Sequence, residues 1–471
     1  MSIREFIQTK AQNRYDQITE MAHEEGGFGR LYKAFDTERQ HREVCIKVIK
    51  PHLSKDLQIK LWNEEVQALE LYQNRSGIVH LVDKQYQFDR DDPYWFLVME
   101  YVHGERLGSS KYRIELDVEE DQAIRIIFQL CSVIYSIHSR GKYHQDIFPD
   151  NIKIQGEDVI LLDLGGMREA ERRSGTIIFG GEMYSPPEVS PTRLRMKRFR
   201  ALRKQKMGSF ESADIFSIGA IFYELLMGQP FFESIEQSNQ LKEYIYDYYT
   251  DPATLKRLKQ EYQEAINTTR RNIHNFSSFL EEYDLPAPLC DCFARTLAIH
   301  PQKRPTIEEL LEFFLPYMLE RARESYAHTD WKNTHLWLCY LEQHFDEIQL
   351  ERLSPPQTLR HIMEQHLHTH FPVYIETCLM RGLTQYHQEL FETAQRTFLK
   401  CKELLDQYPQ GCGERERNTY LLKTTNNLAA CFYKRSQNTE ALHLLKSLST
   451  ASGNFGQIIS RNTQICTTET R

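Results

Sequence analysis

The chain has 471 residues, of which 41% are hydrophobic and 26% charged, and its formal net charge is −8 at pH 7. This composition is typical of a soluble globular protein, and the length predicts two or three domains. No apolar run approaches the roughly 18 residues of a membrane helix, and the first residues lack the apolar segment of a secretory signal. The ten cysteines are scattered, so buried thiols in a reducing, cytoplasmic setting are favoured over a zinc site at Cys290 and Cys292.

The first unit in chain order is a strand, a glycine turn and a second strand around GGFGRLYKAFD (26–36). Glycines in such a turn let backbone N–H groups approach a phosphate, although a plain hairpin turn has the same pattern. An alternating strand follows and ends in Lys47. Because a phosphate site needs a cation as well as the turn, Lys47 strengthens the phosphate interpretation.

A helix is predicted next, over the segment DLQIKLWNEEVQALELY (56–72), where apolar residues recur at helical spacing. Glu64 and Glu65 stand side by side in it, and either could face inward from the sequence pattern alone. The segment YWFLVMEYV (94–102) then reads as a buried strand that leads into a linker.

The most specific pattern follows. GKYHQDIFPDN (141–151) places Asp146 on a loop with Asn151 five residues on, and ILLDLGG (160–166) places Asp163 ahead of a glycine. These are a base and two metal ligands around one site. The chain here resembles the Hanks-type serine/threonine protein kinases, whose catalytic loop H-R-D-x-x-x-x-N and D-F-G occur in this order. The resemblance continues through YSPPE, DIFSIGAIFYELL and HPQKRPT.

The resemblance implies an α+β, two-lobed kinase domain over residues 15–318. A β-rich small lobe would cover 15–101 and a helical large lobe 102–318, after an N-terminal extension over 1–14. It also implies ATP and Mg²⁺ as cofactors and protein substrates as partners.

The same resemblance assigns the site residues. Asp146 would be the catalytic base, Lys47 would hold the α/β-phosphates and pair with Glu65, and Asn151 and Asp163 would hold Mg²⁺. Glu65 fits the family pattern E-[IV]-x-x-L better than Glu64 does. The positions implied to contact the nucleotide are Gly26, Gly27, Gly29, Leu31, Lys47, Met99, Glu100 and Val102.

Four positions depart from the family pattern. Phe148 stands where the catalytic-loop lysine is expected and Gly181 where its threonine partner is expected, which indicates a rearranged substrate side and a slow enzyme. Glu24 replaces the first loop glycine and puts a carboxylate near anionic phosphates. Gln145 replaces the arginine that receives an activation-loop phosphate, so switching by loop phosphorylation has no obvious receptor.

A basic segment, RLRMKRFRALRKQK (193–206), carries eight cations and no acid. It lies between Glu188 and Asp214, which with Arg304 resemble structural anchors of the large lobe. An acidic substrate, a polyanion such as nucleic acid, or an anionic membrane surface would fit this segment. A solvated helix packed on the acidic surface of the same chain fits equally well.

The remainder is rich in helix formers, and two of its segments resemble tetratricopeptide units. Both show the small and large residues of a helical hairpin, at Gly382, Tyr386, Ala394 and Phe398 and again at Leu428, Ala429, Phe432 and Ala441. Other helical hairpin arrays have similar spacing. A helical domain is therefore predicted over 319–448, and a polar tail, expected to be disordered, over 449–471.

The leading hypothesis is an ATP- and Mg²⁺-dependent serine/threonine kinase whose C-terminal helices dock substrates or restrain the enzyme. A pseudokinase scaffold that binds nucleotide without efficient transfer is the main alternative, supported by Phe148, Gly181 and Glu24. A small-molecule kinase on the same fold is a third, but the YSPPE and KRPT motifs favour protein substrates.

Overall fold

The computed structural model describes residues 1–21, 29–50, 52–83, 89–108, 120–169, 183–188, 210–250, 252–283, 285–352, 357–409, 411–448 and 453–469. The chain divides into two compact units, Met1–Ile307 and Glu308–Arg471. Across the described ranges, no helix combines the length and the apolar character needed to cross a membrane.

The small lobe is a five-stranded sheet with two packed helices, and its strand order is β1-β2-β3-β5-β4. Its elements are α1 (Ile3–Lys10), β1 (Tyr15–Glu20), β2 (Gly29–Asp36), β3 (Arg42–Ile49), α2 (Lys55–Leu71), β4 (Leu81–Asp83) and β5 (Phe96–Glu100). In β3 the residues Val44, Ile46 and Val48 alternate into the core, as the period of a half-buried strand requires.

The N-terminal helix α1 belongs to the core of this lobe. Ser2 and Glu5 form a capping box that starts the helix. Phe6 and Ile7 are buried in the same apolar cluster as the strands, and the Phe6 ring meets the Phe96 ring edge-on at 6.3 Å. Residues 3–10 are therefore an integral part of the small lobe.

The large lobe carries two short sheets and a set of helices. The strands are β6 (Glu105–Arg106), β7 (Lys142–Tyr143), β8 (Ile152–Gln155), β9 (Asp158–Leu161) and β10 (Arg168–Glu169), in the orders β6-β8-β9 and β10-β7. The helices are α3 (Glu120–His138), α4 (Phe210–Met227), α5 (Ile235–Thr250), α6 (Pro252–Glu282) and α7 (Ala287–Thr296). Helix α4 is almost wholly buried because its sequence is apolar on all sides, and it carries Asp214 into the interior.

The second unit is all-helical. Its helices are α8 (Ile307–Ala327, which begins at the unit boundary), α9 (Trp331–Arg352), α10 (Gln357–His387), α11 (Phe391–Gln407), α12 (Glu414–Lys434), α13 (Asn438–Ser447) and α14 (Gly453–Glu469). From α9 onward each helix packs against the next along the chain. The expected α+β fold followed by an all-α region is confirmed.

The C-terminal tail departs from the sequence-based expectation. Disorder was expected over 449–471, but residues 453–469 form helix α14. Ile459 and Cys466, seven residues apart, lie on one face of this helix and are buried in a cluster that includes Ala441 and Leu445 of α13. The expectation of disorder is wrong here because packing of apolar residues against neighbouring helices, rather than the polar composition of the segment, decides whether it is helical.

Candidate active site

A buried ion-pair network joins the lobes at Lys47. This residue lies on β3 opposite Leu31 of β2 and Leu97 of β5, and only 3% of its surface is exposed. Its Nζ lies 2.6 Å from Oε1 of Glu65 on α2 and 2.8 Å from Oδ2 of Asp163. The neighbouring Glu64 points to the surface toward Lys60, at 3.9 Å.

Three oxygen-bearing side chains surround the end of the catalytic loop. Asn151 Nδ2 donates to the carbonyl oxygen of Asp146 at 3.0 Å and to its Oδ2 at 3.2 Å, while the N–H of Gly165 donates to Oδ1 of Asp163 at 2.8 Å. Gly166 must be a glycine, because a Cβ there would lie 2.8 Å from the carbonyl oxygen of His144. The two loops therefore approach each other closely.

The side-chain oxygens of Asp146, Asn151 and Asp163 suit a hard cation that also binds phosphate. Oδ1 of Asp146 is buried and accepts no hydrogen bond from the described residues. Carboxylate and amide oxygens are the ligands Mg²⁺ prefers. Within the described ranges, no group of three or more His, Cys, Asp or Glu residues could hold a metal alone. Asn151 and Asp163 would each supply one oxygen to such a cation.

The electrostatics of the site follow from burial and from this network. Burial opposes a charge on Lys47, but the carboxylates of Asp163 and Glu65 outweigh it and raise the pKa of the ammonium. Burial also opposes ionisation of Asp163, yet Lys47 and the Gly165 N–H keep the pKa of its carboxyl below the usual range. Burial, followed by the charge of Asp163, raises the pKa of Asp146 to about 7.

Asp214 of α4 holds the catalytic loop in position through hydrogen bonds. Its carboxylate accepts the backbone N–H groups of His144 and Gln145, both at 2.7 Å, and His138 Nε2 lies 2.9 Å away. Gln145 adopts a left-handed backbone conformation with φ of 68°, and its side-chain amide donates to the carbonyl oxygen of Phe210 at 2.9 Å. The role of His138 was missed from sequence, since it lies 76 residues from Asp214.

A second anchor lies in the large lobe. Arg304 donates to both carboxylate oxygens of Glu188, at 2.5 and 2.9 Å, and both side chains are buried. Its Nε also donates to the carbonyl oxygen of Ala298 at 2.9 Å. This bidentate ion pair holds the segment 183–188, which precedes the basic segment 193–206.

The linker between the lobes is held on both sides. The N–H of Glu100 donates to the carbonyl oxygen of His80 at 3.0 Å, and the N–H of His80 donates to Oε1 of Glu100 at 3.0 Å. Met99 is buried at the end of β5. On the large-lobe side, Lys153 Nζ donates to the carbonyl oxygen of Val102 at 3.1 Å. Sequence reasoning missed Lys153, although a lysine between two isoleucines of a strand is a visible signal.

Some of the remaining predicted residues lie within the described part of the chain, and others lie outside it. Gly29 is the first residue of β2, and a Cβ there would lie 3.0 Å from Cγ of Lys47. Phe148 is half-buried and precedes the short 3₁₀ turn Pro149–Asn151. Outside the described residues lie the glycine-turn positions Glu24, Gly26 and Gly27, the loop position Gly181 and the basic segment 193–206.

The two-lobed fold and the lysine network between its lobes define a protein kinase architecture. A model of the protein kinase domain matches residues 24–315, and the chain belongs to that family. It is 30% identical over 240 residues to serine/threonine-protein kinase D of Synechocystis sp., covering 49% of this chain and 44% of that protein.

Two further relatives are serine/threonine kinases by name. The chain is 29% identical over 214 residues to serine/threonine-protein kinase PknB of Mycobacterium leprae, covering 44% of this chain and 31% of that protein. It is 28% identical over 273 residues to serine/threonine-protein kinase PLK4 of Drosophila melanogaster, covering 57% and 32%. The chain thus spans less than half the length of these relatives.

Proposed function

We propose that this chain is an ATP- and Mg²⁺-dependent serine/threonine protein kinase. The observation that carries the proposal is the network in which Lys47 meets both Glu65 and Asp163 within 2.8 Å. A kinase needs this lysine and this carboxylate in place at the same time to position the phosphates. The names of the relatives support hydroxyl groups of serine and threonine as acceptors.

The residues divide the chemistry among them. Asp146 accepts a hydrogen bond from the substrate hydroxyl and orients it toward the phosphoryl group. Lys47 binds the phosphates of the nucleotide, and Glu65 keeps its ammonium in position. Asn151 and Asp163 would hold Mg²⁺, which when bound neutralises charge on the phosphate oxygens. The glycines 26, 27 and 29 with Leu31, Met99, Glu100 and Val102 would bind the nucleotide.

The pseudokinase alternative rests on one observation in the described site. Phe148, two residues from Asp146, stands where the family resemblance expects a lysine that would stabilise the moving phosphoryl group. Loss of one such electrostatic donor costs about a hundredfold or more in rate. The proposal therefore includes a slow enzyme.

The helical unit is proposed as a docking or regulatory domain built from tetratricopeptide-like repeats, in a cytoplasmic protein. The packing of consecutive helices from α9 to α14 supports repeats of helical hairpins. The basic segment 193–206 is proposed to bind an acidic substrate or a polyanion, because its eight cations have no acidic residue among them.

Radiolabelled ATP with the purified full chain tests the proposal. The parent protein is expected to label itself and a generic protein substrate, with phosphate on serine or threonine by mass spectrometry. Asp146→Asn is the control and should lose this labelling. Binding of ATP with no difference in labelling between parent and Asp146→Asn would establish the scaffold alternative instead.

A further inference from the structure

One cysteine of the helical unit lies in a cluster of charged and titratable side chains that the proposed chemistry does not use. All ten cysteines lie in the described ranges and are free thiols, and three of them, Cys45, Cys339 and Cys412, are partly exposed. Cys339 lies on α9, one helical turn after His335, and its Sγ is 3.3 Å from Nε2 of that ring. Arg381 of the neighbouring helix α10 places its Nη2 atom 3.2 Å from the same sulfur. The sulfur is therefore in contact with nitrogen atoms of two basic side chains.

The position of Arg381 determines which atom of the His335 ring carries the proton. Arg381 is buried and donates to both carboxylate oxygens of Glu342, from Nε to Oε1 at 3.0 Å and from Nη2 to Oε2 at 2.9 Å. Its Nη1 lies 2.8 Å from Nδ1 of His335. Because an arginine only donates, Nδ1 is the acceptor, and a neutral ring carries its proton on Nε2, the nitrogen beside Sγ. Burial, and then the charge of Arg381, lower the pKa of His335, so this ring is neutral at pH 7.

The sulfur of Cys339 consequently accepts two hydrogen bonds. One comes from Nε2 of His335 and the other from Nη2 of Arg381. Hydrogen bonds donated to sulfur, and a cation beside it, stabilise a thiolate relative to a thiol. Glu342 offsets part of the charge of Arg381, so the two donated hydrogen bonds are the main stabilising contribution.

Other cysteines lie in surroundings that favour the neutral thiol. Burial raises the pKa of Cys401 to about 11 and that of Cys431 to about 12. Cys412 is partly exposed, as Cys339 is, but burial and then the carboxylate of Glu416 raise the pKa of its thiol. Exposure alone therefore does not distinguish Cys339 from Cys412, whereas the donors around the Cys339 sulfur do.

We propose that Cys339 is a reactive thiol of the helical unit, which hydroperoxides oxidise to a sulfenic acid. The thiol first loses its proton to water. The thiolate sulfur then attacks one peroxide oxygen, so that an S–O bond forms and the O–O bond breaks. The departing hydroxide or alkoxide takes up a proton from water. The sulfur loses two electrons and the peroxide gains them, and the reaction does not depend on phosphoryl transfer by the first unit.

The test treats the reduced full chain with hydrogen peroxide in the presence of dimedone, which traps sulfenic acids. Mass spectrometry then measures the rate at which each cysteine acquires the adduct. Cys339 is expected to react about tenfold faster than Cys412, since a thiolate is the nucleophile in this reaction. A rate at Cys339 that is no higher than the rate at Cys412 would overturn the proposal.

His335→Ala tests the donated hydrogen bond. His335 is exposed and alanine is a strong helix former, so this variant is expected to fold. Loss of one hydrogen bond to a charged group lowers the thiolate fraction by about tenfold or more. The more basic sulfur is a better nucleophile and offsets part of that loss, so the rate at Cys339 should fall by about threefold or more. Removal of the ring also uncovers the sulfur, so a purely steric role of His335 would raise the rate instead.

His328→Ala is the matched control, because it removes another exposed histidine of the same unit. This variant should leave the rate at Cys339 unchanged. A rate in His335→Ala that equals or exceeds that of the parent, or an equal fall in both variants, would overturn the role assigned to the His335 ring. The comparison of Cys339 with Cys412 in the parent needs no variant, so a His335→Ala protein that fails to fold does not block the test.

Discussion

At the scale of single residues, the site depends on charges that are buried together. Lys47 of β3 is buried, and its two carboxylate partners lie 18 and 116 residues away in sequence. A buried ion pair of this kind contributes little net stability, but removal of one partner leaves an uncompensated charge. The main role of the network is therefore to position Asp163 beside the catalytic loop rather than to stabilise the fold.

Asp163→Ala is expected to reduce phosphoryl transfer by about a hundredfold or more, because it removes both the proposed metal ligand and a partner of Lys47. Labelling with radioactive ATP measures the loss. Unfolding should stay cooperative at a lower melting temperature, since Glu65 still pairs with Lys47 at 2.6 Å. Asp158→Ala, which removes an exposed carboxylate on the strand β9 that precedes Asp163, is the control. Equal labelling of Asp163→Ala and the parent would contradict the assignment.

A second prediction at this scale concerns pH. His344 on α9 is 1% exposed and its ring lies 6.4 Å from that of His370 on α10. Burial, and then the neighbouring His370, lower the pKa of His344 to about 3. The unfolded chain binds a proton near pH 6.5 and the folded unit does not. Stability from this group is therefore complete above pH 6.5 and falls by about 1.4 kcal/mol per unit as the pH drops below it.

Calorimetric melting of the full chain at several pH values between 5 and 8 measures this dependence. His344→Leu should flatten the acid side of the profile, because the unfolded chain then no longer binds a proton at this position as the pH falls. His328→Gln, which changes an exposed histidine of the same unit, should keep the parent profile. Identical acid sensitivity in His344→Leu would show that other groups cause it.

At the scale of elements, the helical unit depends on close approach between neighbouring helices. Gly382 on α10 faces the ring of Phe398 on α11, which is fully buried. A Cβ at position 382 would lie 2.5 Å from Cε1 of that ring. Small residues at such crossings let two helices pack tightly, which is the feature that the sequence pattern had indicated at Gly382 and Ala394.

Gly382→Ala is accordingly expected to destabilise the helical unit by about 1–3 kcal/mol, since overpacking outweighs the better helix propensity of alanine. Denaturant unfolding followed by circular dichroism measures the change. Gly413→Ala is the matched control, because nothing lies within 4 Å of a Cβ there and its φ is −60°. A stability change no larger than that of the control would show that α10 and α11 are not packed this closely.

The catalytic loop is an element whose position is set by α4. Asp214 and the carbonyl oxygen of Phe210 hold the backbone and the side chain of Gln145. No phosphate is needed for these contacts, so phosphatase-treated protein should phosphorylate a generic substrate without a lag. Progress curves before and after treatment measure this. A large rise in rate that requires phosphate on the activation loop would mean that another cation replaces the missing arginine.

At the scale of the whole molecule, the two compact units meet in sequence at residue 307, where α8 begins. The kinase domain was predicted to extend to residue 318, which lies inside this helix. Leu319 and Ala322, just beyond that point, are buried at 3% and 0% exposure. A chain cut at 318 loses these contacts and interrupts the backbone hydrogen bonds of α8.

The chain 1–318 is therefore expected to be less soluble and to melt at a lower temperature than the full chain, in which α8 is complete. Purified yield and melting temperature measure the difference. Kinase rates of 1–307, which ends where the first compact unit ends, and of the full chain then test whether the helical unit regulates the enzyme. Equal rates on every substrate tried would argue against a docking or restraining role.

The sequence by itself determined the family and the fold class of this protein. Asp146, Asn151 and Asp163 are separated by short, regular spacings, and the loops and strands that hold them form from local propensity and turn chemistry. Such local patterns can be recognised in a single sequence without knowing which distant residues are in contact.

Only the tertiary structure decided which residues meet across long separations. Lys153 reaches Val102 over 51 residues, His138 reaches Asp214 over 76, and the polar tail becomes helix α14 through burial of Ile459 and Cys466. A local pattern does not identify the partner in any of these contacts, because each depends on the shape of a surface built by other parts of the chain. Burial against a preformed surface, rather than local propensity, supplies their stability.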